Sequence, residues 1–253
     1  MKPTSRPSRL SLYAAGLLLA FTSASAAPDV GTGPFGVTAA AHARGARVGA
    51  LFAADRRDRL RGGHFCTASV VHSPHRNLIV TAAHCLGGKP RELVFVPGYR
   101  DGEAPYGVWK VGRRFLSEAW EERRDEDSDV AFLEVGDRGG EGVEDVVGGN
   151  RFATDTAAGA TAVTVTAYLN SREEPVSCTN RPRLLSHTQQ RIECPGLSGG
   201  SSGSPWVDGD GAVVGVLGGH DNGGASADAS YSVVLGVRAA GLYQEAERGS
   251  ALN

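Results

Sequence analysis

After Phe21 the sequence has no apolar run long enough to cross a bilayer, which takes about 20 residues. A membrane-spanning helix is therefore excluded beyond that point. An excess of charge of one sign is also missing: 26 lysines and arginines stand against 28 aspartates and glutamates, a formal net charge of -2. Such a balance argues against nucleic acid or an anionic membrane as the main partner. No Cys-x-x-Cys occurs among the four cysteines, Cys66, Cys85, Cys178 and Cys194, and their wide spacing does not fit a zinc ribbon. Neither a metal nor a cofactor is expected. Internal repeats are missing too, and strand-like runs do not alternate with helical ones, which argues against a parallel sheet.

What is present begins with a leader. Lys2, Arg6 and Arg9 form a basic flank, Leu10 to Phe21 is apolar, and the small residues Ala24, Ser25 and Ala26 follow. These are the three parts of a secretory signal peptide, placed at 1–26. The processed chain is expected to be secreted, extracellular, soluble and monomeric. An even number of cysteines in an exported chain favours two disulfides, with three pairings open. The stretch "ARGAR" before Val48 looks cleavable, so 27–47 is read as a short propeptide or an N-terminal extension.

Short apolar, β-branched runs fill the rest, broken by Gly, Pro, Asn and Asp. They include Arg47 to Ala53, His64 to Val71, Asn77 to Thr81, Glu92 to Val96, Asp129 to Val135, Thr161 to Leu169, Ala212 to Leu217 and Ser230 to Leu235. Val163 and Val165 share a face in a period-2 pattern. Many short strands at this spacing predict an all-β sandwich or barrels. A short turn is expected around "AAHC", a surface helix over Arg238 to Glu247, and a solvated loop or exposed helix over the charged run Ser117 to Ser128. The Gly-rich stretch 136–149 is the expected connection between two halves.

Three segments carry chemistry. One strand runs into "TAAHC" and exposes His84; a second opens on Asp129 before "VAFLEV"; the third is "PGLSGGSSGSP", four serines among glycines. A serine hydroxyl is a weak nucleophile until a nearby base takes its proton. An imidazole titrates near neutral pH and can take that proton, then return it to the leaving group. A carboxylate fixes the imidazole tautomer, and backbone N–H groups of a Gly-rich turn can receive the negative charge that develops. His42, His64, His72, His75 and His187 lack any such context.

Together, "TAAHC", "SDVAFLEV" and "GSSGSP" resemble the trypsin/chymotrypsin superfamily of serine endopeptidases, closest to secreted bacterial trypsin-like and glutamyl-endopeptidase members. The resemblance runs from Arg47 to Glu247. It implies two six-stranded antiparallel β-barrels with a C-terminal helix, a protease domain over 48–250, and polypeptide substrates. It gives His84 as general base, Asp129 as orienting carboxylate and Ser202 as nucleophile, with Gly200 and Ser202 N–H as the oxyanion hole. It also implies the pairing Cys66 with Cys85, which leaves Cys178 with Cys194.

Several positions depart from the family. Ser201 replaces an aspartate that pairs with a new N-terminus in digestive members, so that activation is not expected. Gly196, at the substrate-pocket base, lacks the carboxylate that selects Arg or Lys. The opposite wall is Leu217, Gly218, Gly219 and His220. Glutamyl enzymes carry a histidine where Leu217 stands, so acidic specificity and small or apolar specificity both stay open. Gly218 replaces a serine often found beside the triad carboxylate. Two other functions compete: a catalytically silent binding module, and an esterase using Ser201 of Gly-x-Ser-x-Gly, whose fold requires its acid and histidine after the serine.

Overall fold

The computed structural model describes residues 38–39, 43–88, 92–224 and 228–249. The leader at 1–26 lies outside them. The first strand, β1 (Thr38–Ala39), is followed by a 3-10 turn over Ala43–Arg47. Six strands then form a closed barrel: β2 (Val48–Ala53), β3 (His64–Val71), β4 (Leu78–Thr81), β5 (Leu93–Pro97), β6 (Trp109–Leu116) and β7 (Ala131–Val135). The order is β2-β3-β4-β7-β6-β5, and every pair is antiparallel.

The barrel explains why its strands do not alternate in sequence. In β2 and β5 the two faces enter different cores. Leu51, Leu93 and Phe95 join Ile79, Trp109 and Phe132, while Ala50, Phe52, Val94 and Val96 join Tyr99 and Tyr168. A strand buried on both faces reads as a continuous apolar run.

The remaining strands are β8 (Arg151–Phe152), β9 (Val163–Ala167), β10 (Val176–Asn180), β11 (Arg183–Leu184), β12 (Gln189–Glu193), β13 (Pro205–Asp208), β14 (Ala212–Val216) and β15 (Ala229–Val233). Among the described residues these strands fall into two sheets, and the second barrel is not closed as the first is. One sheet has the order β1-β10-β9-β13-β14-β8 and the other β11-β12-β15. The β14–β8 pair is parallel, and Leu217 bridges to Ser232 outside the named strands. The reason lies in the glycines: Gly219, Gly223 and Gly224 all have positive φ just after β14 and turn the chain out of the ladder. The expected alternation does occur in β9, where Val163, Val165 and Ala167 are buried and the threonines between them are not.

Among the described residues three α-helices complete the fold: α1 (Glu118–Arg123), α2 (Val143–Val147) and α3 (Val237–Gly249). α1 sits inside the charged run, capped by Ser117, whose hydroxyl accepts from Trp120 N. It is more than a solvated face, because Trp120 is buried. α3 extends the expected C-terminal helix and packs Ala239, Leu242 and Ala246 into the barrel-side core. Among the described residues no helix is long and apolar enough to cross a membrane.

Cys66 is bonded to Cys85 and Cys178 to Cys194. The first bridge ties β3 to the turn after β4 and closes a loop with a sequence separation of 19. Replacing both Cys66 and Cys85 with Ala should lower unfolding free energy by about 3 kcal/mol through release of chain entropy. Urea denaturation of the double variant measures this; an unchanged midpoint would contradict it.

Candidate active site

β4 is buried along its whole length and delivers Ala82 in extended conformation to a 3-10 turn, Ala83–Leu86. That turn presents His84. Asp129 follows a second 3-10 turn, Glu126–Ser128, and precedes β7, the strand paired with β4. The pairing brings the two side chains together. Asp129 Oδ1 accepts from His84 N at 2.8 Å, and Oδ2 lies 2.7 Å from His84 Nδ1. The carboxylate is 1% exposed and the imidazole 18%. With a carboxylate as partner, Nδ1 carries the proton, which leaves Nε2 as the basic nitrogen. The Cys66 and Cys85 sulfurs lie near His84, but both are in the disulfide and offer no thiolate to a metal.

The third segment is a tight turn from Leu197 to Ser204. Ser201 N donates to Ser198 O and Ser204 N to Ser201 O, each at 3.0 Å. Its far end is locked by a reciprocal pair, Gly203 N to Leu217 O at 2.7 Å and Leu217 N to Ser204 O at 2.8 Å. Within it Ser201 and Ser204 are buried, and Ser202 is half-buried. Among the described residues, the N–H groups of Gly200 and Ser202 donate no hydrogen bond. Nor does a hydrogen bond join His84 Nε2 to Ser202 Oγ; in unliganded sites such bonds are often long and tighten in the complex.

What brings this turn to the barrel is Thr67 on β3, a residue the sequence motifs do not single out. Its N–H donates to Ser202 O at 2.8 Å, and its hydroxyl donates to Gly200 O at 3.0 Å and accepts from Tyr168 N at 2.9 Å. Its carbonyl accepts from the Thr81 hydroxyl at 2.8 Å. Gly203 is forced by this contact: with φ at +83°, a Cβ would fall 2.1 Å from Thr67 O and 2.2 Å from Thr81 Oγ1. The only hint in sequence is that Thr67 follows Cys66. Behind the junction, burial pushes the phenols of Tyr99 and Tyr168 up, with the Glu173 contact adding to the shift at Tyr99.

The expected pocket residues meet different surroundings. Leu217 is buried in the second core with Cys194, Leu197 and Trp206, while Gly196 is exposed with φ at +86°. Gly218 lies against Asp129. Gly219 donates its N–H to Asp129 Oδ2 at 2.7 Å, a third hydrogen bond on that carboxylate and one the motifs give no sign of. His220 is engaged elsewhere: Nδ1 is 3.6 Å from Glu126, Nε2 is 3.5 Å from Asp221, and the ring stands edge-on to Tyr231. A cleft of about 430 Å³ opens beside His84, lined by Gly87, Trp120, Arg124, Glu126 and Asn222.

A family model described as the trypsin-like peptidase domain matches residues 66–216, more than half of the chain. The chain belongs to this family. It is a serine endopeptidase, acting on polypeptide substrates. Solved structures agree on the fold. The protease Anisep from Arthrobacter nicotinovorans is 24% identical with a TM-score of 0.69, over 80% of this chain and 96% of that one. The thermostable serine protease AL20 from an extremophilic microorganism is 27% identical with a TM-score of 0.69, over 84% and 100%. A Glu endopeptidase is 16% identical with a TM-score of 0.66, over 84% and 97%. A search of curated proteins finds no match.

Replacing Thr67 with Val keeps the shape but leaves Tyr168 N and Gly200 O without their partner. The loss should be about 1–3 kcal/mol of stability. Chemical denaturation measures it, and a variant as stable as wild type would contradict the role given to this hydroxyl.

Proposed function

We propose that the protease is secreted after loss of 1–26 and cleaves peptide bonds through an acyl-enzyme on Ser202. His84 acts as general base and then acid, and Asp129 as its orienting carboxylate. The reading is supported by the Asp129-held imidazole on the turn after Ala82, by the close packing of Gly203 against Ala82 N, and by a half-buried Ser202 next to Gly203 whose turn has two unpaired N–H donors. Ser202 Oγ attacks the scissile carbonyl carbon while His84 Nε2 takes its proton. The resulting oxyanion is received by the N–H groups of Gly200 and Ser202; one such donor contributes about 10²–10³-fold in rate. Collapse of the tetrahedral adduct breaks the C–N bond as His84 returns the proton to the leaving amine. Water, activated by the same imidazole, then releases the acid product.

Burial argues against Ser201 as the nucleophile, since it is 5% exposed and its N–H and C=O are both spent within the turn. This, with the closed antiparallel barrel, disfavours the esterase reading. Two disulfides fit an exported protein. We read residues 27–47 as a retained extension and 48–250 as the protease domain, its halves meeting across 136–149. In support, β1 pairs with β10, Arg47 donates to Asn150 Oδ1 at 3.2 Å, and Val48, the first residue of β2, is already buried.

For specificity, neither Gly196 nor the buried Leu217 carries a charge, and His220 lies 3.6 Å from Glu126 and 3.5 Å from Asp221. On that ground we favour a small or apolar side chain before the cut.

Ser202→Ala should lower kcat by about 10⁶-fold and abolish labelling by a fluorophosphonate probe. Full activity in Ser202→Ala, with Ser201→Ala inactive, would overturn the assignment. A peptide-library cleavage profile should show small or apolar residues before the cut; a dominant preference for Glu, Asp, Lys or Arg would refute the pocket reading.

A further inference from the structure

The third donor on Asp129 comes from a segment with no side chains of its own to hold it. Gly219 N–H reaches Oδ2 only because Gly218 is bare: a Cβ there would lie 2.7 Å from Asp129 Oδ2 and 3.1 Å from Ala82 Cβ. Gly219 has φ +77° and ψ −128°, a conformation in which L side chains are strained. This glycine pair is conformationally free by nature, yet it must keep one N–H fixed on a buried carboxylate.

Gln189, the first residue of β12, supplies the restraint. It is 6% exposed, and its carboxamide spans two segments that converge on Asp129. On one side Oε1 accepts from His220 N at 3.3 Å. On the other, Nε2 donates to Glu126 O at 3.0 Å and to Asp127 Oδ1 at 2.9 Å. Two oxygen acceptors on one end and an N–H donor on the other fix the amide orientation. The carboxamide also lies directly over Gly219, since a Cβ on that residue would meet Gln189 Oε1 at 2.5 Å.

We infer that Gln189 is a positioning residue for the peptidase reaction: it latches the loop leading into Asp129 to the Gly219–His220 segment and so keeps the Gly219 N–H on Asp129. Through Asp129 it fixes the orientation of His84. Where many relatives place a serine hydroxyl beside this carboxylate, this chain uses a backbone N–H, admitted by Gly218 and held by a glutamine. The inference rests on the reading of His84, Asp129 and Ser202 as the reacting groups.

The test is the rate of fluorophosphonate labelling against pH on the secreted protein. Labelling needs an activated serine but no particular substrate side chain. Gln189→Met, similar in size and unable to make these hydrogen bonds, should label roughly tenfold to a hundredfold more slowly while remaining folded. Gln189→Glu keeps an acceptor for His220 N but loses both donors and sets a carboxylate against Asp127. The charged groups around it are Glu126 and Asp127 on the loop, and His220 and Asp221 on the facing segment. Added negative charge favours the imidazolium form of His84, so less neutral base is present at a given pH. The acid limb of the labelling profile should therefore move to higher pH in Gln189→Glu, with a lower plateau.

Wild-type labelling rates and an unmoved acid limb in both variants would overturn the inference. If Gln189→Met does not fold, Gln189→Glu decides alone, with the low-field proton resonance of the His84 Nδ1–H as a second readout: an unchanged resonance overturns the inference, a shifted one supports it. Ser202→Ala separates the two levels. Labelling that survives in Ser202→Ala sinks the catalytic reading itself, whereas loss of labelling there with wild-type Gln189 variants sinks only the latch.

Discussion

A buried carboxylate is costly unless donors surround it, and Asp129 is the group on which this architecture turns. It accepts three hydrogen bonds, two from His84 and one from Gly219. The first two come from the turn after β4, so they are secured by the antiparallel pairing of β4 with β7. The third comes from the segment after β14, in the other part of the fold. One side chain therefore requires the barrel and the outer sheets to stay in register with each other. Losing either side would leave a buried charge short of partners, a larger penalty than the net worth of one hydrogen bond.

A second junction, made by threonine hydroxyls and backbone groups, reinforces the first. Thr67 reaches Gly200, Ser202 and Tyr168 with one N–H and one hydroxyl, and Thr81 backs its carbonyl. The approach is so close that Gly203 can carry no side chain. Since the turn uses its own C=O groups for internal bonds and for Thr67, the N–H groups of Gly200 and Ser202 are left over. Donors that make no bond in the resting protein are ready for an incoming oxygen without reorganisation, which is the condition for electrostatic stabilisation of a developing charge. Other glycines, Gly219, Gly223 and Gly224, turn the chain after β14, where the described strands of the second half lie in two sheets.

The parts of the candidate site that sequence could propose are those marked by local pattern or unusual composition. His84 sits beside a cysteine at the end of an apolar strand, Asp129 opens another, and Ser202 lies among glycines; each has a local signature, and their order gives the family resemblance. Strand existence was legible as well, though β2 and β5 hid their two faces because both are buried. Trp120 was hidden by the charges around it, and the Ser117 cap by the same run. Gln189 had no signature, Thr67 only its place after Cys66, and Gly219 was read as pocket wall and not as a donor to Asp129. Their importance comes from contacts separated by 133, 90 and 62 positions in the chain, which no window of sequence contains.

Gly218 shows how an apparent loss in sequence can be a substitution of one donor for another. Judged by residue type alone, a glycine in place of a serine removes a hydroxyl from the surroundings of Asp129. In the folded protein, removal of the side chain is what lets the next N–H approach to 2.7 Å. The exchange has a conformational consequence, because a backbone donor is only as well placed as the chain that carries it. Two successive glycines offer little intrinsic rigidity. The stiffness must then come from outside; His220 reaches Glu126 from the segment itself, and the carboxamide of Gln189 hydrogen-bonds both that segment and the Asp127 loop. Whether a residue matters to this site thus depends less on its own chemistry than on which flexible segment it holds still.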